Sequence, residues 1–141
     1  MRFTMIIKAN QDSEAGVMPS AELMTAMGNF NEEMVKAGVM TGGEGLLPSS
    51  AGARVNYSQG KTTVVEGPFH NPSELVAGFW TIQVKDKAEA IAWARKIPLG
   101  TDSDAQVELR QIAEVEDFAD APAEVIEQER RLRAEGAKTR H

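Results

Sequence analysis

The sequence predicts an α+β fold, because segments with the two-residue repeat of a β strand alternate with segments that have the repeat of an amphipathic helix. Residues 2–8 alternate apolar and other side chains as a strand does, and residues 21–37 place apolar side chains three or four positions apart. The chain has 141 residues, of which 42% are hydrophobic, which is enough for a single core without metals or disulfides. We therefore expect one folded domain at residues 1–115.

The first predicted helix has clear start and stop residues. Ser20 is suited to cap its first turn, and Gly38 follows its last turn. Its apolar stripe consists of Leu23, Met27, Phe30 and Met34. At this spacing the methionines are expected to pack in the core.

A glycine-rich segment follows this helix. Three glycines surround Glu44 at residues 42–45, which allows the backbone to approach a partner group closely. The segment lacks the lysine of a phosphate-binding loop, and Pro48 prevents the helix that a dinucleotide fingerprint requires. Residues 54–57 and 61–65 are predicted as a hairpin that turns at Gly60, forming a peripheral element or part of a partner contact.

The rest of the domain is predicted as a strand, a helix and a strand. Residues 75–84 form a buried strand, Asp86 and Glu89 form a capping box that begins a helix, and residues 106–112 form the last strand. The predicted order is strand, helix, hairpin, strand, helix, strand. This order indicates a ferredoxin-like domain, an antiparallel sheet with its helices on one face.

Residues 116–141 are predicted as a charged C-terminal helical extension, because their strong apolar positions are few. The strong apolar positions are Val125, Ile126 and Leu132, and only a narrow stripe results, with Val125, Glu129 and Leu132 spaced four and three positions apart. We expect a surface or interface arm, with a functional lid as the alternative.

The composition excludes several classes of protein. Without cysteine the chain has no disulfide, no thiolate nucleophile and no cysteine-based metal site. Its scattered glutamates and single internal histidine match no metal-binding pattern, so no metal or cofactor is expected. The net charge of -6 argues against a nucleic-acid partner. No window is apolar enough for a membrane span, and the N-terminal residues do not read as a signal peptide, so we expect a cytoplasmic protein with no membrane partner.

The candidate catalytic residues flank a Gly-Pro pair. Glu66, Gly67, Pro68 and Phe69 follow the hairpin, and a Gly-Pro pair presents its neighbours from a rigid corner. His70 comes directly after this corner, and histidine is the side chain that most often serves as a general acid or base, so His70 with Glu66 is predicted as a general acid/base pair. The alternatives are a solvent-facing histidine and a glutamate that only locks the loop.

Further residues are candidates for ligand binding. Glu44 and Glu74 are carboxylates for a cationic or hydroxyl-bearing ligand, and Arg54 and Arg110 suit an anion, unless they pair with neighbouring glutamates such as Glu108. Phe69, Phe79 and Trp80 are predicted as apolar walls of a small-molecule pocket, with core or dimer contacts as the alternative.

Several of these motifs together resemble the YCII-related family, in the branch named for an Asp-Gly-Pro-Phe (DGPF) motif. The resemblance covers residues 2–112 and rests on Gly43-Glu44-Gly45-Leu46-Leu47-Pro48, Gly60-Lys61, Glu66-Gly67-Pro68-Phe69, Gly78-Phe79-Trp80, Glu89-Ala90-Ile91-Ala92-Trp93-Ala94, Ile97-Pro98 and Val107-Glu108-Leu109-Arg110. Glu66 stands where the motif has aspartate, and the lysine that the branch carries near Ser73 is absent. The resemblance implies a ferredoxin-like domain that pairs into a homodimeric α+β barrel, in a branch whose members mostly have no assigned activity.

Three functions therefore remain open. The chain is predicted to be a cofactor-independent enzyme of lyase, isomerase or dehalogenating type, a small-molecule binding or accessory protein, or an oligomeric interaction module. A fold shared by many functions does not choose among them. The separation of His70 from the nearby carboxylates distinguishes the first from the second.

Overall fold

The computed structural model describes residues 1–100 and 103–138, and the chain divides into two compact units, Met1–Gln111 and Ile112–His141. Residues 101–102 of the predicted domain and 139–141 of the predicted extension lie outside the described residues. The elements of the first unit are β1 (Arg2–Lys8), α1 (Gln11–Glu14), α2 (Ala21–Lys36), β2 (Met40–Gly45), β3 (Ala53–Ser58), β4 (Lys61–Glu66), β5 (Val76–Gln83), α3 (Lys87–Arg95) and β6 (Val107–Gln111).

The first unit is built on a four-stranded sheet with the strand order β2-β5-β1-β6. Every neighbouring pair in it is antiparallel, so the fold is α+β with an antiparallel sheet. One face of the sheet belongs to the core. Its buried side chains include Phe3, Met5, Trp80 and Ile82, which pack in one cluster with side chains of the helices, such as Phe30, Met34 and Ala90.

Helix α2 begins and ends where the sequence predicts. The Ser20 hydroxyl accepts a hydrogen bond from the Leu23 N–H at 3.1 Å, and Gly38 has a φ of 70° just beyond the last turn. Phe30 and Met34 are the buried residues of this helix, which confirms that this part of the predicted stripe is core.

The glycine-rich segment is a strand, which the sequence interpretation missed. Met40–Gly45 pairs with β5 as an edge strand of the main sheet, whereas β3 and β4 form a separate two-stranded sheet. Glycine is normally depleted in strands, but here it permits close packing. A Cβ atom at Gly43 would lie 2.8 Å from Trp80 Cδ1, and one at Gly78 would lie 3.0 Å from the Glu44 carbonyl oxygen. The partner that these glycines approach is the neighbouring strand of the same sheet.

The predicted hairpin is confirmed as β3 and β4, with Gln59 and Gly60 both at positive φ in its turn. The capping box predicted for α3 is only partly formed. Asp86 Oδ1 accepts from the Glu89 N–H at 2.9 Å, but the Glu89 carboxylate accepts from the Lys85 N–H, one residue before the position that the motif predicts.

The second unit contains helix α4, Ala123–Lys138, preceded by a 3₁₀ turn at Val115–Phe118. Arg133 Nε donates to Glu129 Oε1 at 2.7 Å within the helix, and Arg130 lies 3.9 Å from Glu116 of the 3₁₀ turn. No helix in the described ranges, 1–100 and 103–138, is long and apolar enough to cross a membrane.

Candidate functional site

The Gly-Pro corner lies against a turn that is distant from it in sequence. The Gly67 N–H donates to the Gly52 carbonyl at 2.9 Å, and the Gly67–Pro68 peptide is cis. A Cβ atom at Gly67 would lie 1.8 Å from the Ser49 carbonyl oxygen, which is far inside van der Waals contact. Only glycine fits at this position as the backbone stands.

Ser49 connects the corner to the N-terminal part of the chain. The Phe69 N–H donates to Ser49 Oγ at 2.9 Å, the Ser49 N–H donates to Glu14 Oε1 at 2.9 Å, and the Ser49 hydroxyl donates to Glu14 Oε2. The half-buried Glu14 carboxylate thus accepts two hydrogen bonds from one residue. Sequence reasoning missed both residues, because nothing local in the chain indicates a contact between positions 35 residues apart.

The predicted catalytic pair is not joined within one chain. His70, Glu66 and Glu74 are all exposed. Among the described residues, none of the hydrogen bonds or ion pairs connects His70 to either carboxylate. Across residues 1–100 and 103–138, no three His, Cys, Asp or Glu side chains are grouped so that they could hold a metal ion.

Arg54 and Phe69 contact each other at the corner. The Arg54 guanidinium carbon lies 4.0 Å from the centroid of the half-buried Phe69 ring, which is a cation–π arrangement. One face of this predicted anion-binding group is therefore covered by an aromatic ring of the same chain, and its N–H edges remain the part that can meet a ligand.

Phe79 and Trp80 lie on opposite faces of the main sheet. Trp80 is buried with the helices, where its ring stands edge-on to Phe30 at 5.5 Å between centroids. Phe79 is half-buried on the other face, in register with Ile6 on one side and Glu44 on the other. We call this second surface the open face, because the core cluster lies on the opposite side of the sheet.

Arg110 also belongs to the open face. Its register partner in β1 is Thr4, which alternates with the buried residues Phe3 and Met5. Arg110 Nη1 lies 3.5 Å from Glu108 Oε2, and both side chains are largely exposed. The pairing with Glu108 is the alternative that the sequence left open for this arginine.

A cavity of about 310 Å³ opens between α2 and the β2–β5 edge of the sheet. Trp80 borders it from the core face, while Glu44 and Phe79 border it only as neighbouring strand positions, because their register pairing puts their side chains on the open face. Arg54, Phe69 and Glu74 do not take part. The cavity is also lined by Asn31 of α2, whose Oδ1 accepts from Trp80 Nε1 at 2.8 Å. Nothing local in the chain singles out Asn31, because it lies 49 residues from its partner.

Comparison with known proteins places the chain in a family. The sequence profile of the YCII-related domain matches residues 1–116. An uncharacterized protein of Rhizobium meliloti (strain 1021) is 30% identical over 91 residues, which cover 64% of this chain and 73% of that relative. The matched region contains both the Gly-Pro corner and the cavity, and this chain therefore belongs to the YCII-related family.

Proposed function

We propose that this YCII-related domain binds a small organic molecule in the cavity between α2 and the β2–β5 edge. The observation that carries the proposal is one cavity of about 310 Å³ on the α2 side of the sheet, where the predicted ligand-binding residue Trp80 meets Asn31, Met27 and Met40. This volume lies at the lower end of the range of small-molecule sites, which are mostly apolar with a few placed polar groups. The apolar wall comes from Trp80, and a polar group comes from Asn31.

The proposal includes a homodimer of the DGPF branch with the ferredoxin-like arrangement and its dimeric α+β barrel. The strand order β2-β5-β1-β6, with the core cluster on one face, supports this arrangement. The open face carries half-buried Ile6 and Phe79. Because an antiparallel sheet covered by helices on one side leaves its other face to water, apolar residues there favour a second subunit.

The hairpin gives independent support for a partner. All residues of β3 and β4 are exposed, including Val55, Tyr57 and Val64, which the register places on one face. An isolated two-stranded hairpin is only marginally stable in water, so contact with a second copy would stabilise it. We extend the same proposal to residues 116–141 as an arm outside the domain at residues 1–115.

The second candidate function is a cofactor-independent enzyme of lyase, isomerase or dehalogenating type. It is favoured by one observation, the hydrogen bonds that fix the corner immediately before His70. A histidine on a fixed backbone can exchange protons with a bound substrate, with Glu66 as its carboxylate. The exposure of both side chains makes this candidate weaker than binding in the cavity.

A thermal-shift screen of small metabolites, followed by variants, tests the first proposal against the second. Gly45 borders the cavity and a Cβ atom there meets nothing within 4 Å, so Gly45→Val is expected to fill space and abolish binding without a clash. Gly42→Val is the matched control, because Gly42 alternates to the open face and its Cβ position is equally free.

Two outcomes separate the candidates. Metabolites whose binding is lost in Gly45→Val and kept in His70→Ala and Glu66→Gln support the cavity as the binding site. Hits that are lost in His70→Ala or Glu66→Gln and kept in Gly45→Val contradict it and favour the corner. The absence of any hit that responds to Gly45→Val also counts against the cavity.

The subunit composition is tested by light scattering during dilution through the micromolar range. We expect the mass of a dimer, and a persistent monomer mass would remove the barrel from the proposal. Substitution of Phe79 by lysine would place a charge on the open face, and the dimer is expected to dissociate. Tyr57→Lys on the hairpin reports separately on the contribution of that element.

A further inference from the structure

One amide side chain in the cavity wall has a fixed orientation. Trp80 Nε1 lies 2.8 Å from Asn31 Oδ1. An indole N–H only donates hydrogen bonds, so the oxygen of the Asn31 amide must face it, and a flipped amide would set two donors against each other. The NH2 group of Asn31 therefore points away from the indole.

The NH2 group of Asn31 is available to a ligand. None of the hydrogen bonds among the described residues uses it as a donor. This NH2 group is accessible to solvent. Among the described residues, every fully buried side-chain nitrogen or oxygen has a hydrogen-bond partner, so a group without one cannot be fully buried. Asn31 itself is half-buried. Asn31 lines the cavity together with the apolar side chains of Met27 and Met40, and its NH2 group has two N–H donors.

The charges around the cavity indicate what kind of acceptor fits. None of the described residues that line the cavity carries a positive charge, and the side chains on its α2 side are Asn31 and the apolar Met27, Met40 and Trp80. An anionic ligand would lose its hydration in a largely apolar cavity without a compensating cation, whereas a neutral carbonyl can accept from Asn31 at no such cost.

We propose that Asn31 makes the cavity selective for small, neutral, largely apolar molecules that carry a carbonyl or a similar hydrogen-bond acceptor. This inference rests on the proposed function, because it assigns a ligand class to the same cavity. Trp80 acts as a positioning residue in this account, since it holds the amide in the orientation that exposes the donors. Gly43 and Gly78 have no side chains, which allows strands β2 and β5 to pack closely at this edge.

Three probes of similar size test the ligand class on the full-length protein. Acetophenone has a neutral carbonyl, ethylbenzene has no acceptor, and benzoate has a negative charge. Binding is measured by titration of the Trp80 indole N–H resonance in nitrogen-15 NMR spectra, which Trp80→Phe identifies. We expect acetophenone to bind about three- to tenfold more tightly than ethylbenzene, the usual gain from one neutral hydrogen bond, and benzoate to bind most weakly.

Two variants isolate the role of the amide. Asn31→Asp retains an oxygen for Trp80 Nε1 but has no donor, so the preference for acetophenone over ethylbenzene is expected to disappear. Asn29→Asp makes the same change at an exposed position of the same helix and should keep the preference. Melting temperatures of all three proteins show whether they are folded, and if Asn31→Asp is not, the wild-type ranking of the probes still decides.

The outcomes distinguish this inference from the proposed function. Equal affinity for acetophenone and ethylbenzene, tighter binding of benzoate, a preference that survives in folded Asn31→Asp, or no binding of any probe at millimolar concentration would each overturn the role of Asn31. Metabolite hits that respond to Gly45→Val would still support the cavity in each of these cases.

Discussion

The Gly-Pro corner and the cavity edge are both built around glycines, but they are held in different ways. At the corner, Gly67 lies on the turn that contains Ser49, and hydrogen bonds join this turn to Phe69 and Glu14. At the cavity edge, Gly43 lets β2 pack closely against the Trp80 ring. Hydrogen bonds thus hold the backbone of the corner, where the polar side chains are exposed. At the edge, close packing holds two paired strands, and a cavity lies beside them.

At the corner, the conspicuous Gly-Pro motif coincides with a backbone constraint, the close contact of Gly67 with the Ser49 carbonyl. Glu66 and His70 drew attention because they flank the Gly-Pro pair, yet both side chains are exposed. Asn31 lies in an ordinary helix with no motif around it, yet it lines the cavity and accepts a hydrogen bond from Trp80.

The largest expected effect is that of Gly67→Ala. Its Cβ atom would lie 1.8 Å from the Ser49 carbonyl oxygen and 2.7 Å from the Ser49 carbonyl carbon, so the backbone of one segment must move. We expect a loss of about 3 kcal/mol in the free energy of unfolding, measured by urea denaturation. Gly52→Ala is the control, because its Cβ atom would lie at an ordinary 3.5 Å from the same oxygen. A loss below about 1 kcal/mol for Gly67→Ala would contradict the close contact between Gly67 and the Ser49 turn.

Gly43→Ala is expected to have the next largest effect. Its Cβ atom would lie 2.8 Å from Trp80 Cδ1 and 3.0 Å from the Phe79 carbonyl oxygen, which is part of a paired strand. The free energy of unfolding should fall by about 1–3 kcal/mol because of this overpacking. Gly42→Ala, where a Cβ atom meets nothing within 4 Å, should be much milder. If the two variants have the same melting temperature, β2 does not pack as described.

Ser49→Ala is expected to cost about 1–2 kcal/mol, because the Phe69 N–H loses its acceptor and the Glu14 carboxylate loses a donor. The effect should be coupled to Glu14. In a double-mutant cycle with Glu14→Gln, we expect an interaction energy above about 0.5 kcal/mol. Strict additivity of the two substitutions would show that the connection between the corner and α1 contributes little.

The smallest effects on stability are expected for His70→Ala and Glu66→Gln. Both side chains are exposed, so neither change removes buried contacts, and each should alter the free energy of unfolding by less than about 1 kcal/mol. Light scattering should show an unchanged subunit composition. A large loss of stability in either variant would mean that these side chains help to hold the corner and are not simply exposed to solvent.

Much of the fold could be predicted from the sequence, because the rules that govern it act over a few residues. The alternation of Phe3 and Met5, the Ser20 cap and the turn at Gly60 each depend on neighbours in the chain, and each is confirmed. The Met40–Gly45 strand was not predicted because glycine has no local preference for strands. Gly43 fits there because the Trp80 side chain of β5 leaves no room for a Cβ atom.

The candidate site depended on the tertiary structure to a greater degree. The sequence identified Glu44, Phe79 and Trp80 as candidate ligand residues, but the strand pairing puts Glu44 beside Phe79 on the open face and leaves Trp80 alone of the three on the core face. The contacts of Ser49 with Glu14 and of Trp80 with Asn31 join positions 35 and 49 residues apart. By itself the sequence determined most of the elements, the Ser20 cap and the YCII-related family, since these follow from local backbone preferences and residue order. Only the packing of those elements decided which side chains meet, because hydrogen bonds and van der Waals contacts depend on distances in space that residue order does not encode directly.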